Sequence, residues 1–171
     1  MIMLSINDSI TSLNKMFLGC TSVNTEIKYD LFRHCTHVTN ITSFAEGTRI
    51  SGGIYSRMSN YDPSDTTTYG TFDFLPNLIQ ASNAFRSTEI QYIDNNVFAP
   101  LNGDYINLKE ADYMFSNCSD LESCELVNRD NIITGGYLHS KTFFTNLRKL
   151  GTFPKGIFSG CSKVNMTIDF E

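Results

Sequence analysis

One short phrase recurs along this chain and constrains its fold more than any other feature. It reads Phe-x-x-Cys-(Ser/Thr)-x-(Val/Leu). The copies are Phe17-Leu18-Gly19-Cys20-Thr21-Ser22-Val23, Phe32-Arg33-His34-Cys35-Thr36-His37-Val38, Phe115-Ser116-Asn117-Cys118-Ser119-Asp120-Leu121 and Phe158-Ser159-Gly160-Cys161-Ser162-Lys163-Val164. Four of the five Cys fall in it. Two degenerate copies follow the same outline, Phe144-Thr145-Asn146-Leu147 and Phe85-Arg86-Ser87-Thr88. A recurring unit that cannot bury both of its faces alone must stack on its neighbours.

Each unit reads as a short helix, a turn and a strand. Leu108, Ala111 and Phe115 sit at helical spacing, as do Leu13, Met16 and Phe17, with Ser12 available as an N-cap. Gly19, Gly160 or Asn117 follows the Phe where a left-handed residue would end the helix. Period-two alternation comes next, cleanest at Val23/Thr25/Ile27/Tyr29 and Val164/Met166/Ile168/Phe170. Strands are expected near 23–29, 38–44, 68–74, 88–93, 121–127, 147–153 and 164–170. A shift of 83 residues also maps Ile50-Ser51-Gly52-Gly53 onto Ile133-Thr134-Gly135-Gly136 and Phe32 onto Phe115, as a longer duplication would. The recurrent Gly-Gly pairs read as turns.

The expected architecture is an α/β, irregular leucine-rich-repeat-like solenoid. One parallel β-sheet lies on one side and short helices on the other, in a single domain of 171 residues. Units fall near 10–29, 30–44, 50–74, 78–93, 107–127, 137–153 and 155–170, with insertions near 54–68 and 94–106. Phe17, Cys20, Phe32, Cys35, Phe85, Phe115, Cys118, Phe144, Phe158 and Cys161 form the expected repeat core.

Composition narrows the function classes. Ser, Thr and Asn number 50, and Phe with Tyr number 21, so the chain is turn-rich yet too aromatic for disorder. A net charge of −5 with no basic half argues against a phosphate-tracking groove, and so against nucleic acid. The N-terminus Met1-Ile2-Met3-Leu4 lacks the basic start and cleavage site of a signal peptide, and no run approaches a membrane span. An odd number of Cys argues against a fully paired disulfide framework. The ladder Cys read as reduced, buried thiols, with a Cys20–Cys35 pair as the alternative.

The phrase resembles the BspA-like leucine-rich repeats of bacterial surface proteins and related repeats of phage tail and fibre proteins. Met16-Phe17-Leu18-Gly19-Cys20-Thr21-Ser22-Val23, Tyr113-Met114-Phe115-Ser116-Asn117-Cys118-Ser119-Asp120-Leu121 and Ile157-Phe158-Ser159-Gly160-Cys161-Ser162-Lys163-Val164 carry the resemblance. It touches most of the chain from Ile10 to Phe170. It implies adhesion or recognition and brings no catalytic residues.

Candidate chemistry is thin. His34 and His37 flank a Cys that the repeat already explains, and His139 is far away in sequence. Asp62-Pro63-Ser64-Asp65-Thr66-Thr67-Thr68 has turn chemistry and too few acidic ligands for calcium. No phosphate loop or nucleophile elbow occurs. Tyr55, Tyr61, Tyr69, Tyr92 and Tyr105 lie in or beside the insertions. They form either a ligand surface or a cover over the ends of the core. The expected function is a non-catalytic recognition or adhesion module for a protein or glycan on a cell surface, within a phage virion appendage or surface assembly. The alternatives are a purely structural component and, last, an enzyme. No cofactor or metal is expected. The predicted strand Val164–Phe170 has no polar cap, so other chains of an assembly are expected to pair there.

Overall fold

The computed structural model describes residues 9–58, 60, 62–94, 96–98, 107–128, 131–136, 138–139, 154–164 and 166–167. A five-stranded sheet has the order β1 (Glu26–Ile27), β2 (Ser51–Ile54), β3 (Glu89–Asp94), β4 (Glu122–Asn128) and β5 (Asn131–Gly136). The first three pairings are parallel, and β4–β5 is an antiparallel hairpin. A separate parallel pair joins β6 (Leu138–His139) to β7 (Met166–Thr167).

Where short helices were expected there are runs of turns. Helical segments among the described residues are only the 3-10 turns Thr66–Thr68 and Thr71–Phe74. The reason lies in the backbone. Left-handed residues recur in pairs four apart: Lys15 and Gly19, Ser43 and Gly47, Asn83 and Ser87, Tyr113 and Asn117, Gly156 and Gly160. A left-handed residue ends an α-helix. It aligns five six-residue runs, at 15–20, 43–48, 83–88, 113–118 and 156–161, in which a hydrophobic pair follows the first left-handed residue.

The runs lie side by side. Lys15, Phe17 and Gly19 donate their N–H groups to the carbonyls of Thr42, Phe44 and Glu46 at 2.8–2.9 Å. Ser43, Ala45 and Gly47 donate onward to Ser82, Ala84 and Arg86 at 2.8–2.9 Å. Asn83, Phe85 and Ser87 reach Asp112, Met114 and Ser116, and Tyr113, Phe115 and Asn117 reach Lys155, Ile157 and Ser159. The intervening N–H groups close turns inside their own run, as Leu18 to Lys15 and Cys20 to Phe17 do.

The register differs from the expected one. Phe17 aligns with Ala45, Phe85, Phe115 and Phe158, so the second run is Phe44-Ala45-Glu46-Gly47-Thr48 and not the copy at Phe32. The Phe32 copy folds the same way locally, with Cys35 bonded to Phe32 and Val38 to Cys35, both at 2.9 Å. It forms a second corner on the path between the first two runs. Phe72, Leu75 and Leu78 repeat that corner between the second and third runs. Three-residue spacing eclipses side chains along a 3-10-like turn, so all three apolar positions point inward. The 15-residue interval from Phe17 to Phe32 separates two corners, not two layers. The 83-residue duplication fails for the same reason: β2 lies inside the parallel sheet, whereas β5 is a hairpin strand at its edge.

The strands differ too. Residues 38–44 contribute only the bridge at Asn40, and 68–74 form 3-10 turns. The Gly-Gly read as a turn lies in β2. A Cβ at Gly52 would strike the carbonyl oxygen of Ile27, so this residue lets β1 and β2 approach. Expected strand 147–153 and Phe144 lie outside the described residues.

The core is an aromatic column. Phe17–Phe44, Phe44–Phe85, Phe85–Phe115 and Phe115–Phe158 have ring centroids 5.4, 6.2, 5.8 and 5.9 Å apart. Phe32 touches Phe44 and Phe85. The second run swaps the usual order to Phe44-Ala45, and Phe32 adds aromatic volume beside that small residue.

Substitutions at these positions have signed outcomes. Phe85→Ala is expected to cost roughly 3–5 kcal/mol in a urea titration. Ser87 is exposed at φ 55°, so Ser87→Gly is expected to gain up to about 1 kcal/mol. Gly160→Ala is expected to destabilise, because φ is 78° and a Cβ would collide with the Asn117 side chain.

Candidate functional site

The runs carry a polar array on one side. Just before the left-handed residues, Ser12, Asn40, Gln80 and Glu110 occupy successive parallel bridges. Their side chains join laterally. Asn40 Nδ2 donates to Gln80 Oε1 at 2.7 Å, and Gln80 Nε2 donates to both Glu110 carboxylate oxygens at 3.2 Å. Two residues on, Asn14, Thr42, Ser82, Asp112 and Lys155 form a second polar column. Asp112 Oδ1 accepts the Lys155 N–H at 2.8 Å. Each residue in both columns is exposed or half-buried. Adjacent rungs lie about 4.8 Å apart, the spacing of hydrogen-bonded strands. The array therefore offers donors and acceptors at a fixed interval on an ordered backbone.

Sequence reasoning missed this array because it fixed on Phe32 as the second copy. The usable signal was Ala45-Glu46-Gly47-Thr48, which repeats the Gly-(Cys/Thr) ending of a run without its Cys.

Of the expected tyrosine surface, Tyr55, Tyr69 and Tyr92 lie among the described residues. Tyr55 is buried, a correction to its reading as ligand surface. Its backbone N–H is held by Thr71 Oγ1 at 2.9 Å, and its ring closes over Gly53. Tyr69 is half-buried, stacks on Phe74 at 5.2 Å and donates its hydroxyl to the Pro63 carbonyl at 3.2 Å. Tyr92 is half-buried in β3. Tyr61 and Tyr105 lie outside the described residues. Tyr55 and Tyr69 thus cover core, the second of the two readings.

The insertion is tied down by a half-buried ion pair. Arg57 Nε donates to Asp73 Oδ2 at 3.0 Å, and the same oxygen accepts the Gly70 N–H at 2.6 Å. The Asp62–Thr68 carboxylates serve turns. Asp62 Oδ1 accepts from the Ser64 hydroxyl and N–H, which hold its carboxyl below the usual range. Asp65 caps the Thr66–Thr68 turn through the Thr67 N–H. No cluster of three metal-ligating side chains occurs among the described residues.

The Cys/Thr column is buried at Thr48, Thr88 and Cys118 and half-buried at Cys161, whereas Cys20, expected in the core, is exposed because it ends the first run. Cys20, Thr48, Thr88, Cys118 and Cys161 end the five runs. Thr48 and Thr88 donate to carbonyls of their own runs at 2.8 Å, while Cys118 and Cys161 donate to the preceding run's Phe85 and Phe115 carbonyls at 3.0 and 2.9 Å. Cys and Thr exchange there because each offers one short donor. Cys161 is pushed up by its hydrogen bond with Cys118 and by burial. Cys118 is pushed down by that same bond, and then by Thr88, against burial. Cys20, Cys35, Cys118 and Cys161 are unpaired thiols, and Cys35 lies buried while Cys20 is exposed, so a Cys20–Cys35 pair is not formed.

No protein-family model, no curated protein and no solved structure matches the chain. No helix among the described residues is long and apolar enough to cross a membrane.

Burial alone raises the Cys35 thiol to about 11 from 9.0. Folding therefore favours the neutral thiol, a contribution complete below pH 9 and lost as pH rises through 11. Native-state alkylation at pH 8, read by mass spectrometry, should label Cys20 and spare Cys35. The unfolding midpoint of a Cys35→Ala variant should lose less than wild type between pH 9 and 11.

Proposed function

We propose that the stacked runs form an irregular leucine-rich-repeat-like solenoid whose polar array is a recognition face. In this reading the protein is a non-catalytic adhesion module. It binds a protein or glycan on a cell surface as part of a phage virion appendage or surface assembly. The observation that carries it is the Asn40–Gln80–Glu110 side-chain ladder. Its members hold one another in place, so a ligand that meets them does not have to order them first. A regular row of amides, hydroxyls and carboxylates matches an extended ligand with repeating polar groups, a glycan chain above all.

The resemblance of Met16–Val23 and Tyr113–Leu121 to repeats of surface and fibre proteins supports the same reading. A purely structural role is the second reading, and the backbone hydrogen bonds that join run to run favour it.

Binding to host cells and a glycan panel tests the proposal. Gln80→Ala with Glu110→Ala is expected to weaken binding about tenfold, through the loss of one to two hydrogen bonds. The unfolding free energy from a urea titration should change by less than roughly 0.5 kcal/mol, as for surface substitutions. Wild-type chain that binds neither cells nor glycans at high micromolar concentration leaves the structural reading.

A further inference from the structure

Cys118 and Cys161 end neighbouring runs, and the register between those runs is tight. Phe115 and Asn117 donate their N–H groups to the carbonyls of Ile157 and Ser159 at 3.1 and 2.7 Å. Phe158 stacks on Phe115, with ring centroids 5.9 Å apart. One residue before each Cys, a Cβ on Gly160 would lie 3.4 Å from the Asn117 Cα. The two cysteines therefore occupy equivalent places one rung apart. Rungs spaced like hydrogen-bonded strands, at roughly 4.8 Å, fall inside the roughly 4.4–6.8 Å that a disulfide requires between Cα atoms. The side chains also point the same way. The Cys118 thiol lies on the Phe85 carbonyl at 3.0 Å, and the Cys161 thiol on that of Phe115 at 2.9 Å. The two sulfur atoms are within hydrogen-bonding contact of each other.

Of the thiols Cys20, Cys35, Cys118 and Cys161, only the last two are so placed. The neighbour of Cys20 in its column is Thr48. Cys35 lies in the second corner, where the equivalent residue of the next layer is Leu75. Joining Cys118 to Cys161 takes both sulfurs off their carbonyls, yet neither carbonyl is left bare. Phe85 keeps the Thr88 hydroxyl at 2.8 Å, and Phe115 keeps the Cys118 N–H at 3.4 Å. A buried acceptor that retains a partner escapes the desolvation cost of an unsatisfied one.

We propose that Cys118 and Cys161 form a redox-switched clip, a disulfide that fastens the fifth run to the fourth in the presence of a small-molecule disulfide such as oxidised glutathione and opens under a thiol reductant. Cys161 is half-buried and Cys118 fully buried, so exchange begins at Cys161. Its sulfur loses a proton and bonds to one glutathione sulfur, and the other glutathione leaves as a thiol. Cys118 then loses its proton, attacks Cys161 Sγ and expels the second glutathione as a thiol. In sum, two protein thiols give two electrons and two protons to one small disulfide, which becomes two thiols. The Thr88 hydroxyl lies 3.3 Å from Cys118 Sγ, in reach of the attacking thiolate. The bond closes the segment between the two cysteines, β4 and β5 included, into a ring. It restricts the unfolded chain and so holds the run at 156–161 in place. The clip goes beyond the proposed recognition function and does not depend on any ligand of the polar array.

The full chain, first reduced and then equilibrated at low concentration with oxidised glutathione, tests it. Non-reducing peptide mapping by mass spectrometry, with cleavage after Glu122 to separate Cys118 from Cys124, should find Cys118 joined to Cys161 within one copy. The urea midpoint should rise by about 1 M on oxidation and fall back on reduction. Cys161→Thr gives the fifth run the residue that Thr48 and Thr88 supply to the second and third. This variant should keep the circular dichroism of the wild type and show the same midpoint in both conditions. Oxidised chain in which Cys118 and Cys161 stay free thiols, or carry only glutathione, overturns the proposal. So does a link from either one to another Cys, or a Cys118–Cys161 link that leaves the midpoint unmoved. These readouts stand whatever the cell and glycan tests give.

Discussion

The lateral amide hydrogen bond between neighbouring runs is the interaction on which the rest of the structure depends. In the runs at 15–20, 43–48, 83–88 and 113–118 alternate N–H groups reach the next run, and most of those between them close local turns. The local turns make each run compact. The lateral bonds bring the runs into contact, set their spacing near that of strands and fix which side chains meet. The Phe column, the Thr/Cys column and the polar array are three consequences of one register. If that register slipped by a residue, Phe85 would no longer meet Phe115, and Gln80 would no longer meet Glu110.

This geometry demands left-handed residues at two positions per run, and the chain fills them unevenly. Glycine occupies four of the ten aligned sites, Gly19, Gly47, Gly156 and Gly160, while Lys15, Ser43, Asn83, Ser87, Tyr113 and Asn117 hold a positive φ without being glycine. Each non-glycine residue there costs about 1–2 kcal/mol of backbone preference, less for Asn. The lateral bonds on either side offset that cost. Tyr113 shows how closely the columns interlock, because its ring lies where a Cβ on Gly156 would fall.

Local chemistry and long-range register were legible to different degrees. The Phe-x-x-Cys phrase marks buried corners in the middle of the chain, at Phe32, Cys35, Phe85, Phe115 and Cys118, whereas Phe17, Phe158 and Cys161 are half-buried and Cys20 is exposed. It misled about order, because the same phrase serves two corners of the path and only lateral bonding separates them. Helical spacing at Leu108, Ala111 and Phe115 was real, yet a positive φ at Tyr113 breaks the helix. Nothing in the identity of a tyrosine announces that conformation. Tyr55 departs from the expected ligand surface for a related reason: it follows directly on β2, and the turn at Thr71 folds back over it.

The sequence by itself determined that short apolar corners recur, that parallel strands follow some of them, and that Cys or Thr ends each run. Those features rest on residue size, turn preference and donor chemistry within a few positions. The tertiary structure decided which corners become neighbours and which polar residues form the Asn40–Gln80–Glu110 ladder. Partners in these contacts lie 27 to 43 residues apart, as with Lys15 and Thr42 or Asp112 and Lys155. Connections of unequal length hide such a register from any fixed period, and only the direction of the backbone hydrogen bonds reveals it.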